Sequence, residues 1–145
     1  MLKTLAGLGL GVLIVGSMVG CGAGGTALKV GDCVSYQSGT DANGNNVQQT
    51  VVTDCTQPHD GEVFLSFTMP GATFPGYFTI GDAQQDECGS AFEDYVGVSW
   101  EQSKYTFDFA GPTEQTWASG DHQIVCTIKD PAGGKLTGSV KGTAQ

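Results

Sequence analysis

The residues best equipped for chemistry fall within twelve positions, Thr53-Asp54-Cys55-Thr56-Gln57-Pro58-His59-Asp60-Gly61-Glu62-Val63-Phe64. Pro58 sets a corner, His59 and Glu62 carry donor atoms suited to a divalent cation, and Asp60 stands where it could orient the imidazole. The same loop would serve a small hydrolase or a metal-binding protein. The competing reading is scaffold, with His59 hydrogen-bonded to backbone near a disulfide. A second group, Trp117-Ala118-Ser119-Gly120-Asp121-His122, holds the other histidine of the chain. Trp117 is expected in the core, with Asp121 holding a loop amide; its sharper reading is recognition of a cell-wall or protein ligand. Pro58, His59, Asp60, Glu62, Trp117, Asp121 and His122 together form the candidate binding residues.

A Ser-His-Asp hydrolase needs a nucleophile beside a base and an oxyanion hole. The chain has neither a G-x-S-x-G elbow nor an S-x-x-K motif. The expectation is therefore no catalytic residue, no metal and no cofactor. Asp86, Glu87, Glu93 and Asp94 read as a solvated helix face that favours solubility.

The cysteines must position this chemistry. Cys33, Cys55, Cys88 and Cys126 form an even set without C-x-x-C spacing, which indicates two disulfides rather than a zinc knuckle or a thioredoxin-like site. Asp41-Ala42-Asn43-Gly44-Asn45-Asn46 signals a tight turn between two strand-like runs. A three-residue loop centred on Gly44 sets Cys33 directly opposite Cys55, within bridging distance. Elimination leaves Cys88 for Cys126, and the faces agree. Cys88, Phe92 and Tyr95 share a helical stripe, while Ile124, Cys126 and Ile128 alternate onto one strand face.

The elements follow in order. Strands are expected at Asp32–Gln37, Val47–Thr53, Glu62–Thr68, Lys104–Phe109 and Gln123–Ile128, with a short edge strand at Leu136–Lys141. Tyr105, Phe107 and Phe109 would share a face. The main helix is expected at Ala83–Val96 with Asp82 as N-cap, and one helical turn at Thr113–Ser119. Between them, Met69–Gly76 holds two Pro and two Gly and reads as a loop. The fold class is α+β: a mainly antiparallel sheet of five or six strands, one main helix packed on it, and two disulfides.

Ahead of this domain stands a targeting segment. Lys3 supplies a short positive region, and Leu5 to Gly20 is apolar or small throughout. That run is shorter than the ~20 residues needed to span a hydrocarbon core. It ends in Met18-Val19-Gly20-Cys21-Gly22, which resembles the bacterial lipoprotein lipobox, with Met18 in place of the usual Leu. The resemblance implies cleavage after Gly20 and a diacylglycerol on Cys21. Residues 1–20 are then a lipoprotein signal peptide, residues 21–29 the lipidated cysteine and a flexible Gly-rich linker, and residues 30–142 the domain. The chain has a net charge of −9 and no Arg, which argues against nucleic acid and against charge-driven lipid binding.

Gly31-Asp32-Cys33, the run from Val52 through Pro58-His59 to Glu62-Val63, Cys88 on a helix, Trp117-Ala118-Ser119-Gly120-Asp121 before Cys126, and Gly138-Ser139-Val140-Lys141-Gly142 occur in that order. This series resembles the septum formation domain family of actinobacterial cell-envelope proteins, across nearly the whole mature domain. His122 is a departure, since the family commonly has Arg after Gly-Asp; an ion pair made by that Arg would be absent or pH-dependent here. The resemblance implies exported or membrane-anchored placement and an envelope or division-associated role, without a reaction. The expected protein is a lipid-tethered, extracytoplasmic, non-enzymatic interaction or structural module. Its partners would be the membrane, through the anchor, and an envelope protein or cell-wall ligand. Because each buried methylene contributes ~0.8 kcal/mol and stable anchoring takes more than one chain, Cys21→Ser should move the protein from the membrane to the soluble fraction on cell fractionation. Unchanged membrane retention would exclude acylation at Cys21 as the anchor.

Overall fold

The computed structural model describes residues 27–41 and 43–145. The signal segment, Cys21 and most of the linker lie outside the described residues. Five strands and two helices follow one another as β1 (Cys33–Thr40), β2 (Asn46–Thr53), β3 (Gly61–Thr68), α1 (Tyr77–Val96), β4 (Thr106–Ala110), α2 (Glu114–Ala118) and β5 (Gln123–Lys129). The strands form one sheet in the order β2-β1-β3-β5-β4, with every neighbouring pair antiparallel. The expected α+β architecture is therefore present, with β3 and β5 at its centre.

Alternation decides which face of the sheet is covered. Ile124, Cys126 and Ile128 of β5 are fully buried beneath α1, as their spacing predicts. On β3 a bulge shifts the register between Val63 and Leu65. The extra residue lets both Phe64 and Leu65 turn toward the helix, instead of placing one on each face. α1 answers with Ile80, Gln84, Cys88, Phe92, Tyr95 and Val96, a stripe recurring every three or four residues. Phe64, Phe92 and Phe107 meet with ring centroids 5.7 to 5.8 Å apart, at T-shaped or tilted angles typical of aromatic packing. The opposite face carries only a small cluster, Val34, Val63 and Val125 with Leu28 against it. Tyr105 and Phe107 join the core, whereas Phe109, toward the end of edge strand β4, is 38% exposed.

Both predicted disulfides form, and the route to the first differs from the expectation. Cys33 faces Thr53, not Cys55, in the β1–β2 ladder. The turn is centred one residue earlier than expected, on Asn43: the Asp41 amide donates to the Asn45 carbonyl at 2.9 Å, Asp41 Oδ1 accepts the amides of Asn43 and Asn45, and Gly44 takes φ of +82°. The chain then leaves the ladder after Thr53, where Asp54 Oδ1 accepts the Thr56 amide at 2.8 Å. That bend folds Cys55 back until its Cα lies 5.2 Å from that of Cys33. Cys88 and Cys126 join α1 to β5 with a Cα separation of 5.8 Å. The two loops are worth ~3 to 4 kcal/mol each in the loop-entropy model.

Two other expectations are corrected. α1 begins at Tyr77, six residues before Ala83, behind Gly76 and without a side-chain cap. Asp82 lies inside the helix and caps nothing. Ile80 explains the early start, because it extends the buried stripe by one turn beyond Gln84. Burying it outweighs the cost of Gly81 in a helix, about 1 kcal/mol. The Leu136–Lys141 segment is not a strand; only Leu136 makes a bridge, with His59. Its remaining polar groups are used elsewhere. α2 forms where expected, with Thr113 as N-cap in a reciprocal capping box with Thr116. Among the described residues, no helix is long and apolar enough to cross a membrane.

Candidate functional site

The Pro58–Glu62 corner is held by backbone first. The His59 amide donates to the Leu136 carbonyl at 3.0 Å, and the His59 carbonyl accepts from the Leu136 amide at 2.8 Å. This bridge seals the ring of His59 away from solvent, at 0% exposure. Nδ1 lies 2.8 Å from the Gln57 carbonyl, which can only accept, so the proton of the neutral ring sits on Nδ1. Nε2 is left as a bare acceptor, buried and without a partner. The expected scaffold role is thus visible in the backbone bridge and the Nδ1 bond.

Asp60 does not orient that imidazole through a hydrogen bond. Its carboxylate accepts the Tyr36 amide at 2.8 Å and the Lys135 ammonium at 2.6 Å. Burial acts against the charged form, but Lys135 and the Tyr36 amide outweigh it and hold Asp60 below the usual carboxylate range.

Glu62 is fully buried on the helix side of β3. Oε1 accepts from the Tyr95 hydroxyl at 2.6 Å and from the Ser139 hydroxyl at 2.6 Å. Oε2 accepts the Val140 amide at 2.7 Å. One carboxylate therefore joins β3, the last turn of α1 and the C-terminal segment. Glu62, expected only as a candidate binding residue, is instead committed to these three partners, none of which its place in the sequence indicates. The available signal was Tyr95 itself, since a tyrosine on a core stripe needs an acceptor for its hydroxyl.

A ring nitrogen of His59, Sγ of Cys33 and a carboxylate oxygen of Glu62 all lie within 4.8 Å of one another. This is the nearest approach to a metal centre among the described residues. The donor set does not fit one, because Cys33 is committed to its disulfide and Glu62 already serves three donors.

Trp117, Asp121 and His122 belong to a different place. His122 stacks on Trp117 with centroids 3.8 Å apart and 12° between planes, and its Nε2 lies 3.3 Å from the Trp117 carbonyl. Trp117 is 3% exposed, as the core reading expects. Asp121 Oδ1 accepts the Gln123 amide at 3.1 Å. Asp121 and His122 help line an open groove of about 1040 Å³, with Leu28, Asp32, Val52 and Gln123. His59 stands before β3, whereas His122 immediately precedes β5, where its carbonyl accepts the Met69 amide at 3.0 Å just past the far end of β3. Eight strand residues at ~3.3 Å each put the two histidines roughly 25 Å apart. The seven candidate residues therefore do not form one site. Asp86, Glu87, Glu93 and Asp94, expected on a solvated face of α1, are all exposed.

Burial, the hydrogen bond to Glu62 and the charge of Glu62 together push the Tyr95 hydroxyl well above its ordinary pKa of 10.0. A raised folded-state pKa means that the native state keeps its proton where the unfolded chain has released it. The resulting stability is complete below about pH 10 and is lost as pH climbs toward the folded value. Tyr95→Phe should therefore be less stable than the parent near neutrality, by ~1 to 3 kcal/mol. Its stability should also fall less steeply above pH 10, by up to about 1.4 kcal/mol per pH unit. Urea titrations between pH 7 and 11 measure both; parallel curves for the two proteins would exclude the Tyr95–Glu62 linkage.

The model of the septum formation family matches residues 29–145. Neither the curated proteins nor the solved structures offer a match. The match runs through Cys33, the Pro58–Glu62 corner, both disulfides and the segment that binds Glu62, which are the parts that hold the fold together. The chain belongs to the septum formation family.

Proposed function

We propose that this protein is a lipid-tethered, extracytoplasmic interaction module of the cell envelope that acts in division without catalysing a reaction. Membership in the septum formation family carries the division-associated envelope role. The lipobox-like Val19-Gly20-Cys21 and the two disulfides support an anchored protein on the oxidising side of the membrane. Both imidazoles are engaged with main-chain carbonyls, and His59 has no solvent access, which supports a module rather than a hydrolase.

The first turn of α1 offers a surface for contact. Tyr77 is 63% and Phe78 93% exposed, beside Phe74, whose ring stands edge-on to both Tyr77 and Trp117. Exposed aromatics on a rigid element supply large contact area at low entropic cost. Affinity purification from crosslinked cells tests this reading. The intact protein should recover division or envelope proteins, and a Tyr77→Ser/Phe78→Ser variant that keeps its thermal stability should lose most of them. Equal recovery by the two proteins would remove this surface from the account. Recovery of no envelope protein by the intact chain would contradict the module itself.

A further inference from the structure

The first disulfide has a chemical neighbour that the scaffold role of His59 leaves unused. Cys33 is 1% exposed, whereas Cys55 is only partly buried, so one half of the bridge reaches the surface and the other is enclosed. The enclosed sulfur lies within 4.8 Å of an imidazole nitrogen of His59. Nδ1 is occupied by Gln57, so the nitrogen able to respond to Cys33 is Nε2. Nε2 is a buried acceptor without a partner, a condition that native proteins rarely tolerate without cause.

We infer that Cys33–Cys55 is an exchangeable disulfide that reacts with small or protein thiols, with Cys33 as the leaving sulfur and His59 as the group that receives it. An external thiolate attacks Sγ of Cys55, forming a mixed disulfide as the Cys33–Cys55 bond breaks. The bonding electron pair goes to Cys33 Sγ, which takes up the proton lost by the incoming thiol. Once free of Cys55, the Cys33 side chain can turn about its Cα–Cβ bond, and its S–H donates to Nε2. A second external thiolate then attacks the external sulfur of the mixed disulfide, releasing Cys55 and an external disulfide. Two thiols are oxidised as the protein disulfide is reduced.

The direction of the effect follows from counting acceptors. Nε2 is unsatisfied when the bridge is closed and gains a donor when it opens, so His59 favours the dithiol. Glu62, in the same cluster, disfavours a bare thiolate and keeps Cys33 as a donor. Cys88–Cys126 differs, since both of its cysteines are fully buried in the core between α1 and β5. Attack requires access, so this second bridge should behave as a permanent staple.

Equilibration of the purified protein in glutathione buffers of graded ratio, followed by alkylation and peptide mass mapping, reports each bridge separately. Cys33–Cys55 should open at ratios that leave Cys88–Cys126 closed. In His59→Leu its equilibrium constant should move about tenfold toward the closed form, a shift of about 30 mV. Simultaneous opening of the two bridges, or an unchanged constant in His59→Leu, would overturn the inference. Should that variant fail to fold, ¹⁵N NMR of the intact protein decides. The Nε2 resonance of His59 must move upfield on reduction as the nitrogen gains its donor, and a stationary resonance would overturn the inference equally.

Discussion

A buried carboxylate accepting three hydrogen bonds is the interaction on which the rest of this structure depends. Removing Glu62 from water is expensive, and the cost is offset only if its oxygens find donors inside the protein. The donors come from three separate parts of the chain: Tyr95 at the end of α1, and Ser139 and Val140 in the C-terminal segment. The carboxylate therefore rewards only the arrangement in which the helix, the sheet and the tail are all in place. Such a network adds specificity as well as energy, because a half-satisfied version costs more than an apolar core would.

The remaining contacts build outward from that point. Beyond Glu62, the tail is held by the Gly142 amide on the Tyr95 carbonyl and the Ala144 amide on the Val96 carbonyl, both at 2.8 Å. At its other end, Leu136 bridges to His59 and the Gly138 amide reaches the Cys55 carbonyl at 2.7 Å. The C-terminal segment thus ties the His59 corner to the end of α1 without being a strand. It covers the same corner that the first disulfide closes from the other side. The second disulfide fixes α1 on β5, so the aromatic cluster of Phe64, Phe92 and Phe107 is enclosed between elements that cannot separate.

Periodicity made the sheet legible in the sequence. Alternation placed Ile124, Cys126 and Ile128 under the helix, and the stripe from Cys88 to Tyr95 identified the helix face, because both signals are local. What escaped was non-local or aperiodic. Cys55 reaches Cys33 through a bend outside the ladder, which no register arithmetic on the hairpin contains. The helix start depended on whether Ile80 would be buried, a matter of tertiary contact that outweighed Gly81 and Asp82 as local start signals. The candidate site suffered most. His59 and Glu62 looked like ligands because of their proximity in the chain, but their actual partners are Gln57 two residues away and Tyr95, Ser139 and Val140 far beyond. Nothing in the spacing of His59 and His122 indicated that an entire strand separates them.

Native-state hydrogen exchange of the Val140 amide in Glu62→Gln tests the central role of this carboxylate most directly. Glutamine retains the size of the side chain but replaces an acceptor oxygen with a donor, so at least one of the three donors loses its partner. The account predicts a loss of about 2 to 3 kcal/mol in global stability and exchange of the Val140 amide accelerated by roughly a hundredfold. A Glu62→Gln protein with parental stability and unchanged protection at Val140 would contradict it.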